Sequence, residues 1–396
     1  MGSVNITLAN GQLGASLQTN DGIAGMVLTG VSESGGYTVG IPILVTNMQD
    51  VANAGITAAN NPFAIKNLQE FYNQAGAGAQ LYLMLTPATM NIDHMCDNDN
   101  PDGIVVLLNY AAGKIKILGV MSDDAAIVAA GGTITTVSGL NGAMGGARNN
   151  LQDTANAFFN AETPFRGIIG GTSYSGVAAD PIDFSIAGDL NRAAILIGDT
   201  DITYTTKGAA IGLLLGTLSS LPVQRKISRV RNGALTNSAV YLGSAHIESV
   251  PGDSNILAQK GYITFTTYPN VSGYFFSGDP MTVANTDDYH FLSRGRVIDK
   301  AHVLAYTTFV QEVDDEVPVN ADGTLDAGFC KWLERQITNQ VNNTMTANKE
   351  ISSVSCYIDP TQNILSTNTL NVVLKITPVG YATDIEISLG FENPAS

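Results

Sequence analysis

The chain of 396 residues carries 35 acidic and 19 basic side chains, so its formal net charge of −16 disfavours direct binding to nucleic-acid phosphates. A single hydrophobic core stops growing at roughly 250 to 300 residues, so this length predicts two domains. Charged residues make up only 14% of the chain, below the usual ~25%, which suits a surface that neighbouring subunits cover.

The first predicted element is a strand close to the start of the chain. Val4, Ile6 and Leu8 alternate with polar residues, which is the period-two pattern of a half-buried strand. A glycine-rich stretch with polar residues follows in place of a hairpin partner, and it predicts a flexible link. We therefore expect residues 1–20 to form an N-terminal arm. The glycines assigned to the link are Gly11, Gly14, Gly22 and Gly25.

An α/β domain is predicted for residues 21–272, because short apolar runs alternate there with helical stretches. The strands are predicted over residues 41–45, 81–85, 115–120, 167–170 and 193–197. The helices are predicted over residues 63–75, 101–113, 151–161 and 208–221. The last of these is the longest apolar stretch, and it is shorter than the ~18 to 20 residues that span a bilayer, so we expect a buried helix and no membrane insertion.

A small C-terminal domain is predicted for residues 273–382, with two amphipathic helices over 294–313 and 329–345. Two strands follow, over 351–358 and 370–376, and each places its apolar residues on one face. A sheet of two strands is marginal by itself and needs further strands. The residues of this candidate acceptor sheet are Val354, Cys356, Ile358, Leu370, Val372, Leu374 and Ile376.

The chain ends with another period-two pattern, in which Ile385, Ile387, Leu389 and Phe391 alternate with polar residues. We expect residues 383–396 to form a C-terminal arm. Strands at the two ends of the chain could pair with the open sheet edge of another subunit, which would build a homo-oligomer. The alternative, that both ends fold back onto their own subunit, stays open at this point.

The C-terminal third contains the motif Arg294-Gly295-Arg296-Val297-Ile298-Asp299-Lys300-Ala301 and several shorter pieces in a characteristic order and spacing. With these residues it resembles contractile phage tail sheath proteins. A weaker match, over residues 209–233, resembles the helix and loop that precede the sheath C-terminal domain. The chain length is similar to that of the short sheaths of R-type pyocins. The shorter pieces are residues 273–279, 315–319, 351–352, 362–365, 378–382 and 390–394.

The resemblance implies a structural subunit and no enzyme. Sheath subunits of this family stack as hexameric rings around a tail tube protein, and their terminal arms add strands to the C-terminal sheets of neighbouring copies. Contraction then drives the tube through a cell envelope. The resemblance also implies baseplate and tail terminator partners, a place in the virion, and assembly in the cytoplasm of the host bacterium. A pyocin-like particle or another contractile injection system fits equally well.

Three further expectations concern sites. The acidic residues Asp314, Asp315 and Glu316, with Trp332 on the following helix, are our hypothesis for the surface that faces the tube. No catalytic residue, metal site or cofactor is predicted, because the acidic loop over residues 93–103 lacks the spacing of a calcium loop and no serine has a nucleophile-elbow pattern. An α/β enzyme with an atypical site is the distant alternative.

Overall fold

The computed structural model describes residues 20–202, 208–383 and 385–391. The chain divides into two compact units, with the boundary between Thr307 and Thr308. The boundary proposed from the sequence, before residue 273, lies within the first of these units.

The first unit contains strands and helices in alternation over most of its length. Its strands are β1 (Ala24–Gly30), β2 (Ile43–Val45), β3 (Leu81–Pro87), β4 (Ile117–Met121), β5 (Thr136–Val137), β6 (Leu140–Asn141), β7 (Arg166–Gly170), β8 (Ala193–Leu196), β9 (Tyr241–Leu242), β10 (Ala245–His246), β11 (Phe265–Tyr268) and β12 (Val271–Phe276). Its helices are α1 (Met48–Asn53), α2 (Pro62–Ala75), α3 (Ile92–Cys96), α4 (Ile104–Ala111), α5 (Asp124–Ala129), α6 (Met144–Asn160), α7 (Phe184–Ala187), α8 (Ile211–Ser219), α9 (Pro251–Gln259) and α10 (Leu292–Phe309), the last of which ends just beyond the boundary.

Six of these strands form one sheet in the order β2-β3-β1-β4-β7-β8. The neighbouring strands are parallel except β2 and β3, which are antiparallel. The central strands are apolar and buried, as expected of a parallel sheet that is covered on both faces. The predicted α/β fold is therefore confirmed, and all five strands and four helices predicted for this domain are present. Their ends are shifted by at most three residues, except that α6 begins seven residues before its predicted start.

Strand β1, at the centre of the sheet, was missed by the sequence prediction, which assigned Gly22 and Gly25 to a flexible link. That assignment is wrong for both glycines. Gly22 ends a short 3-10 helix, and Gly25 lies inside β1, where an added Cβ would come within 2.8 Å of the Ile115 side chain. Close packing, and not chain flexibility, explains the glycine at position 25. Gly11 and Gly14 lie outside the described residues.

Helix α8 is buried along its whole length and packs against α2. Gly212 and Gly216 face α2, and a Cβ on either one would overlap with its backbone, at 1.8 Å from Asn67 O and 2.6 Å from Phe71 O. The Gly212 amide donates a hydrogen bond to Asn67 Oδ1 at 3.1 Å. The two glycines therefore let the helix axes approach closely, and the predicted buried helix is confirmed.

Helix α10 belongs largely to the first unit, where buried ion pairs hold it. Asp299 accepts hydrogen bonds from Arg166 Nε at 2.7 Å and from Arg192 Nη1 at 3.2 Å. Arg166 also donates to the Gly295 carbonyl at 3.2 Å, and an added Cβ at Gly295 would lie 2.7 Å from its guanidinium carbon. The motif at residues 294–301 therefore fixes this helix to strand β7, which explains why the unit boundary falls after residue 273.

The second unit is small and contains two helices and two strands. Its core is formed by Leu325, Cys330, Leu333 and Ile358, with Leu370 and Val372 packed against it. The side chain of Asp326 caps the first helix by accepting a hydrogen bond from the Phe329 amide at 2.8 Å. The elements are α11 (Ala327–Val341), a π-helical turn (Asn342–Thr346), β13 (Ile351–Ile358), α12 (Ile364–Thr367) and β14 (Val372–Pro378). The helix predicted over 329–345 and the strands predicted over 351–358 and 370–376 are present, whereas the helix predicted over 294–313 is α10 of the first unit and α12 was not predicted.

Candidate assembly surface

The sheet of the second unit brings six of the seven predicted acceptor residues together. Strands β13 and β14 are antiparallel, and cross-strand partners in such a pair point to the same face. The remaining residue, Leu370, lies just before β14. The partners on the apolar face are Val354 with Ile376, Cys356 with Leu374, and Ile358 with Val372.

This sheet is incompletely covered. Ile358 is buried, whereas Val354, Cys356, Leu374 and Ile376 are only half-buried. Within the described residues the sheet consists of β13 and β14 alone, so each strand has one edge without a neighbouring strand. Exposed strand edges favour pairing with another chain, which makes this sheet a candidate acceptor.

Glu334, which the sequence prediction missed, fixes strand β13 to helix α11. Its Oε1 accepts the Ile358 amide at 2.9 Å, and its Oε2 accepts Lys331 Nζ at 2.6 Å. Burial raises the pKa of Glu334, but the hydrogen bonds from Lys331 and Ile358 outweigh this and leave the pKa below its ordinary value of 4.5. The sequence signal was an acidic residue directly beside the apolar stripe of a helix.

Residues 385–391, the described part of the tail, form no strand within this chain, and their donation as a strand to a neighbouring subunit stays a prediction. The large apolar side chains of this tail are 76% exposed at Ile385, 82% at Ile387, 96% at Leu389 and 109% at Phe391. Four large apolar side chains in one short segment are thus left in solvent, which is unusual for a soluble monomer. Within the described part of the tail, nothing indicates that it folds back onto its own subunit.

The predicted N-terminal strand residues Val4, Ile6 and Leu8 lie outside the described residues. Their donation to a neighbour therefore stays a prediction.

The residues predicted to face a tube are at the surface. Asp314, Asp315 and Glu316 are exposed in a turn that follows α10 and a 3-10 turn, and Asp314 adopts a left-handed backbone conformation with φ 62°. Trp332 is 46% exposed on α11, and its ring lies 5.6 Å from that of Phe329. The acidic residues follow the helix instead of ending it, which avoids unfavourable charge at the helix C-terminus.

The carboxyl ends of the central strands, where α/β enzymes place their sites, hold a structural polar cluster. The buried carboxylate of Asp124 accepts hydrogen bonds from Ser122 Oγ at 2.8 Å, from Asn141 Nδ2 at 3.0 Å and from Ser173 Oγ at 2.6 Å. These three hydrogen bonds to the Asp124 carboxylate connect the loops at this edge of the sheet. In the described parts of the chain, no helix is long and apolar enough to cross a membrane.

Two family models match the chain. The model of the DUF2586 N-terminal domain matches residues 1–279, and that of the DUF2586 C-terminal domain matches residues 288–396. No curated protein sequence matches.

Several solved structures are similar over nearly their full length. The helical sheath of the anti-feeding prophage in its contracted state aligns with a TM-score of 0.62 and 12% identity, covering 98% of this chain and 99% of that chain. A chain of the anti-feeding prophage baseplate aligns with a TM-score of 0.63 and 11% identity, covering 99% and 100%. The contracted sheath complex of an extracellular contractile injection system, PVC, aligns with a TM-score of 0.58 and 11% identity, covering 99% and 98%. At these identities the likeness shows a shared fold, and the predicted resemblance to contractile sheath proteins is confirmed at that level.

Proposed function

Because the chain belongs to the DUF2586 family and shares its fold with sheath proteins of contractile injection systems, we propose that it is a structural subunit of a contractile sheath. Its role is to polymerise and not to catalyse a reaction.

The proposal rests on two features of the described chain: an exposed apolar tail and a sheet with unpaired strand edges. The tail from Ile385 to Phe391 exposes four large apolar side chains, and the β13–β14 sheet has open edges and a half-buried apolar face. A tail strand from one copy that adds to the sheet of another copy would bury the apolar side chains of the tail and provide hydrogen-bond partners for the sheet edge. Burial of four such side chains yields roughly 6 to 12 kcal/mol, at ~1.5 to 3 kcal/mol each, before the cost of ordering the tail.

The assembly proposed on this basis is a stack of hexameric rings around a tail tube protein. The N-terminal arm, with Val4, Ile6 and Leu8, supplies a second donated strand. Subunits first assemble in an extended arrangement and then pass to a more stable contracted one, and the donated strands keep neighbouring rings connected during this change. Contraction drives the tube through a target envelope.

The proposed partners are a tail tube protein, a baseplate and a tail terminator, and the proposed place of the subunit is a virion assembled in the bacterial cytoplasm. A pyocin-like particle or another contractile injection system is the alternative setting. The exposed turn at Asp314 to Glu316 and the exposed Trp332 on helix α11 are proposed to face the tube.

Electron microscopy of negatively stained samples tests the proposal. We expect the purified chain to form hollow striated tubes, and the double variant Ile387→Asn with Leu389→Asn to stay in small species. The matched control is Ser388→Asn, since Ser388 lies on the opposite side of the alternating pattern. Tubes from the apolar double variant at the wild-type concentration would contradict strand donation. Discrete wild-type particles, even when the tube protein is expressed with the chain, would contradict the sheath role itself.

A further inference from the structure

Residues 222–233 form a loop that presents arginines on the surface of the first unit. The loop lies in the connection between helix α8 and strand β9 and includes a 3-10 turn at Val230–Asn232. Arg229 and Arg231 are exposed, and Arg225 is half-buried. Among the described residues, none of these three guanidinium groups takes part in an ion pair or a hydrogen bond. We call residues 222–233 the arginine loop.

Three arginines without a carboxylate partner are unexpected in a chain with 35 acidic and 19 basic side chains. Desolvation and the positive charge of nearby Arg229 both lower the pKa of Arg225. The guanidinium groups of these two residues are therefore close enough to repel each other, and no described carboxylate pairs with either of them. A negatively charged partner would offset this repulsion.

Lys226 holds the arginine loop against the core from its inner side. Its Nζ lies 3.6 Å from Oδ1 of the buried Asp279 and 3.1 Å from the ring centroid of Phe291. Val223 and Ile227 are also buried, and backbone hydrogen bonds within the loop close its turns. The arginines are therefore displayed on an ordered loop, and binding a partner requires little further ordering of the backbone.

Charge and composition favour a protein surface as the partner of the arginine loop. Val230, which lies between the two exposed arginines, is 39% exposed and offers an apolar contact. Arginine is enriched at protein interfaces, and opposite charges across an interface contribute to its specificity. A nucleic acid would carry a continuous row of phosphates past the acidic remainder of a chain whose net charge is −16, which opposes its binding.

A second copy of the chain offers suitable carboxylates. Asp153 on helix α6 and Asp288 are exposed, and within the described parts of the chain neither forms an ion pair. Contact between the arginine loop of one copy and an acidic surface of the next would join two different surfaces, and contacts of this kind can repeat along a polymer.

We propose that the arginine loop binds an acidic surface of a neighbouring copy of this chain. This inference rests on the proposed function, to which it adds a charged contact between subunits. The contact is separate from strand donation, because the arginine loop belongs to the first unit and the acceptor sheet to the second.

Light scattering of the full-length chain at a fixed ionic strength measures the lowest protein concentration at which it polymerises. We expect the double variant Arg229→Glu with Arg231→Glu to raise this concentration about tenfold or more, because like charges would then face each other. The matched control is the double variant Lys114→Glu with Arg335→Glu, which makes the same change in net charge at two other exposed positions. The control should polymerise at the wild-type concentration.

Carbodiimide coupling tests the contact directly. The double variant Arg229→Lys with Arg231→Lys keeps both charges and introduces amines, which the reagent joins to carboxylates that touch them. Mixing isotopically labelled and unlabelled copies lets mass spectrometry separate bonds between copies from bonds within one copy. We expect bonds from these two positions to carboxylates of the other copy, and the coupled peptides identify the acidic surface.

Unchanged polymerisation of the folded glutamate variant, or coupling confined to single copies, would overturn the proposed contact and leave the sheath role intact. Coupling between copies in a chain that never forms tubes would support the contact and contradict the sheath role. If the glutamate variant loses binding to a tail tube protein or to nucleic acid while it polymerises normally, the loop serves that partner and the proposal is wrong. Should the glutamate variant fail to fold, the coupling result decides by itself.

Discussion

Asp299 on helix α10 accepts two hydrogen bonds from Arg166, the first residue of strand β7, at 2.7 and 2.9 Å. The two residues are 133 positions apart, and both are buried. This pair, with Arg192 as a third member, ties the sheet of the first unit to the helix that leads to the second unit.

Substitution Asp299→Asn should destabilise the first unit by about 3 to 5 kcal/mol, because it leaves Arg166 and Arg192 buried together without their carboxylate. Urea unfolding measures the effect. The control is Asp189→Asn, whose partner Arg148 lies 3.8 Å away and whose carboxylate is 77% exposed. That change should cost less than about 1 kcal/mol. Equal losses in the free energy of unfolding for the two variants would contradict the prediction that the buried ion pairs of Asp299 matter more to stability than the exposed pair of Asp189.

Substitution Gly212→Ala should also destabilise the first unit, by about 1 to 3 kcal/mol or more, because helices α8 and α2 must move apart to admit the methyl group. Gly252→Ala is the control. Gly252 lies in helix α9 with open space around its Cα, so alanine should be neutral or stabilise by up to about 1 kcal/mol. Melting temperatures of the two variants check this, and a stable Gly212→Ala protein would refute the close helix contact.

Glu334 predicts a pH dependence of the second unit. Its pKa in the folded chain lies below the ordinary value of 4.5, so the ionised carboxylate stabilises the fold above that value. This contribution should be lost as the pH falls from about 4.5 through the lower, folded-state pKa. Wild type should thus be more stable than Glu334→Gln at pH 7, with the difference shrinking in acid.

Unfolding curves at several pH values measure this difference, with Glu316→Gln as the control in an exposed position of the same unit. A stability gap between wild type and Glu334→Gln that stays constant down to pH 2 would refute the assignment.

On the proposed function, charge reversal at Asp314 and Asp315 should weaken binding of the assembled chain to a tail tube protein. The chain should stay folded, because both side chains are exposed. Co-sedimentation of sheath with tube measures the binding, and circular dichroism checks the fold. The double variant Asp99→Lys with Asp102→Lys, at exposed positions of the first unit, is the control for the same change in net charge. Normal sheath–tube association after reversal would remove this turn from the tube-facing surface.

Much of the fold could be predicted because the spacing of apolar residues along the sequence indicates which side chains share a buried face. The alternation over residues 351–358 and 370–376 placed Val354, Cys356, Leu374 and Ile376 on one face, as the strand register shows. The same alternation at Ile385 to Phe391 predicts which side chains share one face of a strand, but it does not predict which chain would cover that face.

Two features could not be predicted, for different physical reasons. Strand β1 begins and ends near glycines, so its composition indicated a flexible link, although tertiary packing requires the small residue at Gly25. The Arg166–Asp299 pair joins residues far apart in sequence, and local periodicity carries no information about such contacts. Its one sequence signal was a set of charges within an otherwise apolar helix.

The exposed tail at Ile385 to Phe391 has a consequence for the free subunit in solution. Free copies expose this apolar segment before any partner covers it, and the net charge of −16 opposes their association. Repulsion between surface charges fades as the Debye length drops from about 10 Å at 0.1 M salt to about 3 Å at 1 M, whereas apolar attraction does not. We therefore expect the free subunit to begin aggregating at a lower protein concentration as the ionic strength rises.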